Sequence, residues 1–316
     1  MSSQGHHVHV SYHKWMLQDD VRTDAMKRMI AALVRPGDVV ADVGTGTGIL
    51  ALWARRAGAA RVHAIDASPI ARLARKVAED NGEDDGVFFY EADAATVELP
   101  EQVDVVFSEC LGNFAFGDGM WLAIQRFCDR WLKPGGRVGP TRVRLYLQPG
   151  DSRLFWNPHR FWETEYEGLD LSAFVKAEEN RVAVVDTVES FVWGEPVCVA
   201  DFDPLRRDDS YSLTGEWTLP TGKMVTGLVG WFDVDWAPGV PMPTGPSNPG
   251  THWSQVLFPC PRREVGEGET LRATVHVAFS AEERPSYRWE GEWISPDGDV
   301  VARFVHDEAT LFGASD

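Results

Sequence analysis

The sequence predicts an α/β domain with a doubly wound parallel sheet, followed by an antiparallel all-β domain. An apolar run over 39–50, VVADVGTGTGIL, ends in an acidic residue and a glycine-rich turn. Strand-like and helix-like stretches then alternate to about residue 147, which is typical of a doubly wound sheet. Beyond that point the apolar runs are short and are separated by Gly, Pro and Asp turns. This second pattern is typical of an antiparallel barrel or sandwich.

These changes of pattern predict three parts, which are an N-terminal helical segment (1–35), a Rossmann-like domain (36–147) and a β-barrel domain (148–316). The first part contains one helical stretch, 12–33. Trp15, Met16, Asp19, Arg22 and Met26 recur in it at three- and four-residue spacing and would share a face. Asp19 and Arg22 are poor core residues, because buried charges need partners.

The elements of the two domains follow in chain order. In the first domain we predict strands at 39–43, 61–65, 87–91, 103–108 and 137–147, helices at 48–57, 69–80 and 119–131, and a turn at 133–136. In the second domain the β-rich runs are 181–185, 211–219, 224–234, 270–279, 287–294 and 300–305. We find no internal repeat and no low-complexity tract.

Composition and charge limit the function classes. The 316 residues are 44% hydrophobic and include 30 basic and 48 acidic side chains, a net charge of −18. A nucleic-acid-binding protein needs a basic footprint, so we expect no nucleic-acid partner. An acidic cleft would attract cationic substrates, although acidity can also serve only solubility.

The cysteines and the N-terminus predict a cytoplasmic protein. The four cysteines are widely spaced and form no C-x-x-C motif, which favours reduced thiols. The first residues lack the features of a signal peptide, and no apolar run is long enough to span a membrane. His6, His7 and His9 could bind a metal, but we favour a segment that folds over the ligand and predict no metal site.

The glycine turn predicts the kind of ligand. Gly44, Gly46 and Gly48 allow a tight turn and a close approach of the ligand to the backbone. Asp66 ends the next strand-like run, where its carboxylate can hold the two hydroxyls of a ribose. GTGTG lacks the G-x-G-x-x-G spacing that a pyrophosphate prefers. With Asp42 before the turn, the site suits S-adenosylmethionine, which carries an amine and a sulfonium.

The loop after the fourth strand predicts a cation site. Glu109 and Asp118 lie nine positions apart in SECLGNFAFGDGM, 108–120, and glycines would let the loop fold back on itself. Two carboxylates around one pocket suit a guanidinium, a planar cation with several N–H donors. Alternatively, Glu109 only ends the strand and Asp118 caps the next helix.

Five stretches together resemble the protein arginine N-methyltransferase family over most of the chain, from Tyr12 to Phe312. They are MLQDDVRTDAM (16–26), DVGTGTGIL (42–50), AIDASPI (64–70), SECLGNFAFGDGM (108–120) and THWSQ (251–255). The resemblance implies a Rossmann-like domain, a β-barrel domain and a dimerisation arm. The aromatic stretch at about 154–178 fits that arm, although it could also be core, and a homodimer is expected.

The resemblance also implies roles for individual residues. Arg22 would bind the carboxylate of S-adenosylmethionine, and the remaining cofactor contacts would come from His13, Met16, Asp42, Gly44, Gly46, Asp66, Ala67, Asp93 and Glu109. Glu109 and Asp118 would bind the guanidinium, and Glu109 or the pair formed by His252 and Asp19 would accept the proton. Met120 and Trp253 would be pocket walls or ordinary packing.

Two departures from the family pattern bear on the substrate. Asp118 replaces a glutamate and reaches about 1.5 Å less far, which favours a monomethylated product. A paired-tyrosine segment is not recognisable near the N-terminus, so the substrate entrance would differ. The composition, rich in Ala, Arg, Gly and Asp, suggests a bacterial source. Bacterial relatives of the family can act on the free amino acid in natural-product pathways, so the resemblance implies free L-arginine as substrate in such an (antibiotic) pathway. The alternatives are arginine in a peptide or protein, and a non-catalytic partner protein that binds S-adenosylmethionine.

Overall fold

The computed structural model describes residues 10–117, 119–152, 160–206, 208–280 and 284–310. Three predictions fall wholly or partly outside these residues: the role of Asp118, the N-terminal histidines His6, His7 and His9, and the beginning of the aromatic arm at 154–159.

The first half of the described chain is a five-stranded parallel sheet in the order β3-β2-β1-β4-β5, with helices between the strands. This confirms the predicted Rossmann-like α/β architecture. The strands are β1 (Val39–Val43), β2 (Arg61–Asp66), β3 (Val87–Glu91), β4 (Val103–Phe107) and β5 (Leu132–Gly139). The helices after the first two and the fourth strands are α3 (Ile49–Arg56), α4 (Ile70–Asp80) and α5 (Trp121–Trp131).

Burial explains why the parallel strands were recognisable. Each residue of β1 is buried, as expected for a strand with both faces covered by helices. The helix α4 instead buries one face, through Ile70, Ala71, Ala74 and Ala78. Continuous apolar runs for strands and one-sided apolar stripes for helices are the patterns that the sequence displays.

The N-terminal helical stretch differs from the prediction. The expected single helix over 12–33 is two helices, α1 (Val10–Leu17) and α2 (Asp20–Leu33). Asp19 separates them as the N-cap of α2, and its carboxylate accepts a hydrogen bond of 2.9 Å from the backbone N–H of Arg22. Asp19 is therefore not a member of a continuous helix face, and the predicted shared stripe is interrupted at this residue.

The predicted strand over 137–147 was also wrong, because the chain forms two strands there. β5 ends at Gly139 in the parallel sheet, whereas β6 (Arg142–Gly150) belongs to an antiparallel sheet. Pro140 lies between them and has no backbone N–H to continue a ladder. The turn expected at 133–136 lies inside β5, where the pairing with β4 changes register.

The second half of the described chain forms two larger antiparallel sheets, in agreement with the predicted all-β half. One has the order β10-β6-β12-β14-β9, with β13 paired to β12, and the other has the order β11-β15-β16-β17. After β6 the strands are β7 (Glu165–Tyr166), β8 (Leu169–Asp170), β9 (Ala183–Val185), β10 (Val197–Phe202), β11 (Ser210–Thr218), β12 (Met224–Asp235), β13 (Pro241–Pro243), β14 (Gln255–Glu264), β15 (Thr270–Phe279), β16 (Pro285–Ile294) and β17 (Val300–Asp307).

Aromatic side chains join the two antiparallel sheets to each other and to the parallel half. Trp289 of β16 packs against Phe258 of β14, with ring centroids 5.7 Å apart. Phe114, from the loop after β4, packs against Phe258 at 5.4 Å and against Tyr287 at 6.4 Å. The loop after β4 thus inserts into the core of the antiparallel half, which fixes the position of that half relative to the parallel sheet.

The described part of the aromatic arm is an excursion between β6 and β9. It contains a short 3-10 turn (Arg160–Glu163), the β7–β8 hairpin and a short helix (Ala173–Glu179). Trp162 stacks on Phe174 with a centroid distance of 4.7 Å. Several large apolar side chains of this segment are nevertheless exposed, namely Phe161, Tyr166, Leu169 and Phe174.

Candidate active site

A cavity of about 600 Å³ lies at the carboxyl ends of the parallel strands. The chain turns to opposite sides of the sheet after β1 and β4, so these strand ends diverge and leave a crevice between them. The helices α1 and α2 contribute one wall, and the antiparallel half contributes His252 and Arg284. Its volume is that of a site for one or two small molecules.

The glycine turn after β1 borders this cavity. Gly44, Gly46 and Gly48 have φ angles of 77°, 52° and 78°, in the region that favours glycine. A Cβ at Gly44 would lie 2.3 Å from Cys110 Sγ, and one at Gly46 would lie 3.0 Å from the ring of His13. The turn therefore needs glycine both for its backbone angles and for its close neighbours.

Asp66 lies at the end of β2, beside the glycine turn. Its Oδ2 accepts a hydrogen bond of 2.9 Å from the backbone N–H of Gly46. Its Oδ1 accepts hydrogen bonds from the backbone N–H and the hydroxyl of Ser68, at 2.9 and 2.7 Å. These bonds hold the carboxylate at the cavity wall, where it can accept hydrogen bonds from a ligand's hydroxyl groups.

Asp42 lies beneath the glycine turn, fully buried, and is not part of the cavity wall. Its Oδ2 accepts a hydrogen bond of 2.6 Å from the Thr45 hydroxyl, and its Oδ1 has no hydrogen-bond partner among the described residues. Burial raises the pKa of Asp42 to about 7, the nearby charge of Asp66 adds to this, and the bond from Thr45 opposes it.

Glu109 lies just beyond β4 and forms a buried ion pair with Arg22 of α2. Arg22 Nε donates to Glu109 Oε2 at 2.7 Å, and Arg22 Nη2 contacts the same oxygen. The two side chains are only 9% and 4% exposed. The Arg22 guanidinium thus occupies Oε2 of Glu109, and no hydrogen bond to Oε1 is present among the described residues.

His252 and Asp19 form a second buried pair, which joins the antiparallel half to α2. Asp19 Oδ2 lies 2.9 Å from His252 Nδ1 and accepts a 2.8 Å hydrogen bond from the backbone N–H of His252. Burial would raise the pKa of Asp19, but its hydrogen bonds with His252 and with the backbone of Arg22 lower it overall. Asp19 therefore caps α2 and orients the His252 ring at once.

Most of the predicted site residues meet at this one cavity. Its wall contains His13, Met16, Arg22, Gly44, Gly46, Asp66, Ala67, Asp93, Glu109, Met120 and His252. Trp253 lies behind the wall: its indole Nε1 donates to the backbone carbonyl of Leu111, and its ring packs on His252 with a centroid distance of 4.1 Å. Asp19 also lies behind His252, and Asp118 is outside the described residues.

Several wall residues were not predicted from the sequence. They are chiefly Tyr12, Thr45, Ser68, Cys110 and Arg284. Thr45, Ser68 and Cys110 lie inside the motifs quoted above, and Tyr12 precedes the predicted His13, so each is a chain neighbour of a residue that was predicted. Arg284 is different, because it follows β15 in a stretch without a recognisable motif, and only the folded chain brings it to the cavity.

Two family models match the chain, one over each half. Residues 40–136 match the methyltransferase domain, and residues 141–293 match the arginine methyltransferase oligomerization subdomain. The chain belongs to the protein arginine methyltransferase family. Members of this family use S-adenosylmethionine, and the cavity lies where the methyltransferase domain meets the oligomerization subdomain.

Similar proteins come from this family. The chain is 34% identical over 331 aligned positions to the histone-arginine methyltransferase CARMER of Drosophila yakuba. This alignment covers 97% of this chain and 58% of that protein. The chain thus spans little more than half the length of these curated relatives. Among solved structures, Arabidopsis thaliana protein arginine methyltransferase 10 matches with a TM-score of 0.82 and 26% identity, covering 96% of this chain and 99% of that one.

A third similar protein supports the fold alone. The Trypanosoma brucei PRMT1 enzyme–prozyme heterotetramer with AdoHcy matches with a TM-score of 0.86 at 22% identity, covering 95% of this chain and 98% of that one.

Within the described residues no cluster of three or more His, Cys, Asp or Glu side chains could hold a metal ion. No helix in that same part of the chain has the length and apolar character to cross a membrane.

Proposed function

We propose that this protein transfers a methyl group from S-adenosylmethionine to a guanidino nitrogen of arginine. The observation that carries the proposal is the buried carboxylate of Glu109, which binds a guanidinium and shares one cavity with the glycine turn and Asp66. A ligand that bears ribose hydroxyls and no phosphate fits this turn, and a cation fits the adjacent acidic wall.

We assign the cofactor to the side of the cavity formed by the parallel half. Asp66 would accept hydrogen bonds from the ribose of the cofactor, and Arg22 would bind its carboxylate. The buried Asp42, beneath the glycine turn, would attract the amine of the cofactor electrostatically. His13, Met16, Gly44, Gly46, Ala67 and Asp93 would complete the contacts. When bound there, S-adenosylmethionine supplies an electrophilic methyl group next to Glu109.

Glu109 has the main role in handling the substrate. A guanidinium is protonated at neutral pH and is a poor nucleophile. A carboxylate bound to one edge draws the positive charge toward the nitrogens it contacts, so the remaining nitrogen gains lone-pair character. We assign Asp118 as the second carboxylate on the strength of the family pattern. Holding this nitrogen in line with the methyl group is expected to supply much of the rate.

The proton released by the substrate needs an acceptor. His252 is on the cavity wall and is oriented by Asp19, which leaves its Nε2 as the available ring nitrogen. Glu109 is the alternative acceptor. Trp253 packs on the His252 ring from behind, so we assign it to positioning, while Met120 is on the wall beside the substrate.

The substrate arginine can be part of a protein or a free amino acid. The names of the similar Drosophila proteins favour arginine within a protein such as a histone. Free L-arginine, converted to Nω-monomethyl-L-arginine for a natural product, rests on the composition of the chain together with the family resemblance. We therefore put protein-bound arginine first, with free L-arginine as the second candidate. A monomethyl product stays a prediction based on the short reach of Asp118, as does a cytoplasmic location based on the reduced cysteines.

The assembly is proposed to be a homodimer. The match to an oligomerization subdomain supports assembly in general. The exposed apolar side chains of the arm, and those of Leu73, Val77 and Phe88 on the parallel half, provide surface that a second copy would bury.

Mass spectrometry of the products is the direct test. The purified protein is incubated with S-adenosylmethionine and, in parallel, with histones, an arginine-rich peptide and free L-arginine. A gain of one methyl mass on any of them, abolished by Glu109→Gln, supports the proposal. A protein that binds S-adenosylmethionine tightly but methylates none of the three would instead be the non-catalytic partner protein. A gain of two methyl masses would overturn the monomethyl prediction.

A further inference from the structure

Arg284 adds a cation to the cavity that the proposed chemistry does not use. It belongs to the antiparallel half and follows β15, yet it is one of the residues that line the cavity. Arg22 is the other arginine of that wall, and it is already bonded to Glu109. Within the described part of the chain, the Arg284 guanidinium has neither an ion pair nor a hydrogen-bond acceptor.

The backbone at Arg284 is held firmly by its neighbours. The pairing of β15 with β16 continues to Phe279 and Pro285, and Arg284 immediately precedes that last pair. The backbone N–H of Ser280 donates to the Arg284 carbonyl at 3.0 Å, and the Arg284 N–H donates to the Ser280 hydroxyl at 3.2 Å. The hairpin therefore fixes the point from which the Arg284 side chain extends.

The same hairpin is anchored to the loop that carries Glu109. Phe279 packs edge-on against Phe116, with ring centroids 5.1 Å apart. Phe116 is itself fully buried and lies seven positions after Glu109 in that loop. The separation between Glu109 and the base of Arg284 is thus set by packed side chains, so the cavity has an acidic, buried end and a cationic, exposed side.

An unmatched cation is unexpected in a cavity for a cationic substrate, because like charges repel. It becomes useful if the substrate also carries an anion at a distance from its guanidino group. A guanidinium binds a carboxylate with two parallel hydrogen bonds, which gives direction as well as attraction. The carboxylate of the cofactor is assigned to Arg22, next to the glycine turn, so Arg284 is not needed for it.

We propose that Arg284 binds a carboxylate of the substrate while Glu109 binds its guanidino group, and so selects substrates that carry both charges. This inference rests on the proposed function above. The carboxylate has two possible sources, which are the α-carboxylate of free arginine and an acidic side chain next to arginine in a peptide.

A comparison of matched substrates and variants tests the role of Arg284. L-arginine is paired with agmatine, which has the same guanidinobutyl chain without the carboxylate, and an Arg-Asp peptide is paired with its Arg-Asn counterpart. In one of the two pairs, we expect Arg284→Gln to lower kcat/KM by about three- to tenfold for the compound that bears the carboxylate. The kcat/KM for the compound of that pair without the carboxylate should stay unchanged. Arg284→Lys should retain part of the preference, and Arg206→Gln, at an exposed arginine outside the cavity wall, is the control.

Each outcome decides a point. A loss confined to L-arginine identifies the α-carboxylate, and a loss confined to the Arg-Asp peptide identifies a flanking acidic residue. An equal effect on both members of each pair, no effect, or a rise only in the KM for S-adenosylmethionine overturns the inference.

Calorimetry provides a readout that does not depend on turnover. With the protein saturated with S-adenosylhomocysteine, the preference for each carboxylate-bearing compound is measured for the wild type and for Arg284→Gln. The inference requires that the wild type prefers one of these compounds and that the variant loses this preference; an equal preference in both would refute it. Absence of methyl transfer by the wild type would count against the proposed function, whereas the binding comparison still decides the role of Arg284.

Discussion

Glu109 is the residue on which the proposed chemistry depends most. Glu109→Gln keeps the shape of the side chain but removes the charge that would polarise a guanidinium. We expect kcat to fall by about 100-fold or more, in line with the loss of a preorganised charge in other enzymes. Steady-state kinetics at saturating substrate checks this, with circular dichroism to verify folding, because the buried Arg22 also loses its ionic partner. A kcat within twofold of the wild-type value would contradict the assignment.

Asp42 is expected to make stability depend on pH. The folded protein keeps the Asp42 proton up to about pH 7, whereas an unfolded chain releases it near pH 4. The free energy of unfolding should therefore fall as pH rises between these values, by as much as about 4 kcal/mol from this group. Asp42→Asn removes the contribution, so its stability relative to the wild type should increase over that range.

Urea unfolding from pH 4 to pH 8 measures the difference between Asp42→Asn and the wild type. Asp24→Asn, at an exposed carboxylate of α2, supplies the baseline for the loss of one surface charge. A difference between Asp42→Asn and the wild type that stays constant with pH would show that Asp42 titrates normally in the folded protein.

At the scale of single elements, Asp19 performs two tasks that variants can separate. Asp19→Asn retains an oxygen that can cap α2, because Asn and Asp are similar N-caps. Asp19→Ala loses the cap and should be less stable than Asp19→Asn by about 1–2 kcal/mol. Both variants lose the charge that orients His252, so both should have a lower kcat. Denaturant unfolding and kinetics give the two readouts, and equal stability of the variants would argue against the capping role.

The sequence predicted elements where one interaction dominates the pattern. The inner parallel strands β1 and β4 are almost entirely buried, so their apolar runs were unambiguous. The break between α1 and α2 was missed because its signal is a single capping aspartate without Gly or Pro nearby. β14 was missed because Pro259 and Pro261 interrupt its pattern, although they occur inside the paired strand. Proline usually argues against such a strand.

At the scale of the whole molecule, the arm predicts the oligomeric state. Tyr166 and Leu169 are 52% and 63% exposed on the β7–β8 hairpin. If they are buried in a homodimer, Tyr166→Glu combined with Leu169→Glu should halve the mass seen by analytical ultracentrifugation. Val300→Glu combined with Val301→Glu places equal charge on exposed apolar positions of β17 and should leave the mass unchanged. Equal masses for both double variants would exclude the arm as the interface.

The site was predictable in part for a similar physical reason. Residues that act through a local motif, such as Asp66 beside the glycine turn, could be located because the backbone geometry itself needs that sequence. His252 and Asp19 were predicted as a pair from the resemblance to the family. Arg284 could not be found, because its place depends on how the β15–β16 hairpin packs against Phe116, and this contact leaves no trace in local sequence.

Two reciprocal hydrogen bonds link the loop after β4 to the loop before β14. Asn113 Nδ2 donates to the Trp253 carbonyl, and Trp253 Nε1 donates to the Leu111 carbonyl. These residues lie on opposite sides of Pro140, where one sheet gives way to the next. A chimera that joined this parallel half to a relative's antiparallel half would therefore have to transplant both loops together. The two loops should therefore be inherited and exchanged together, and neither half can be replaced by itself.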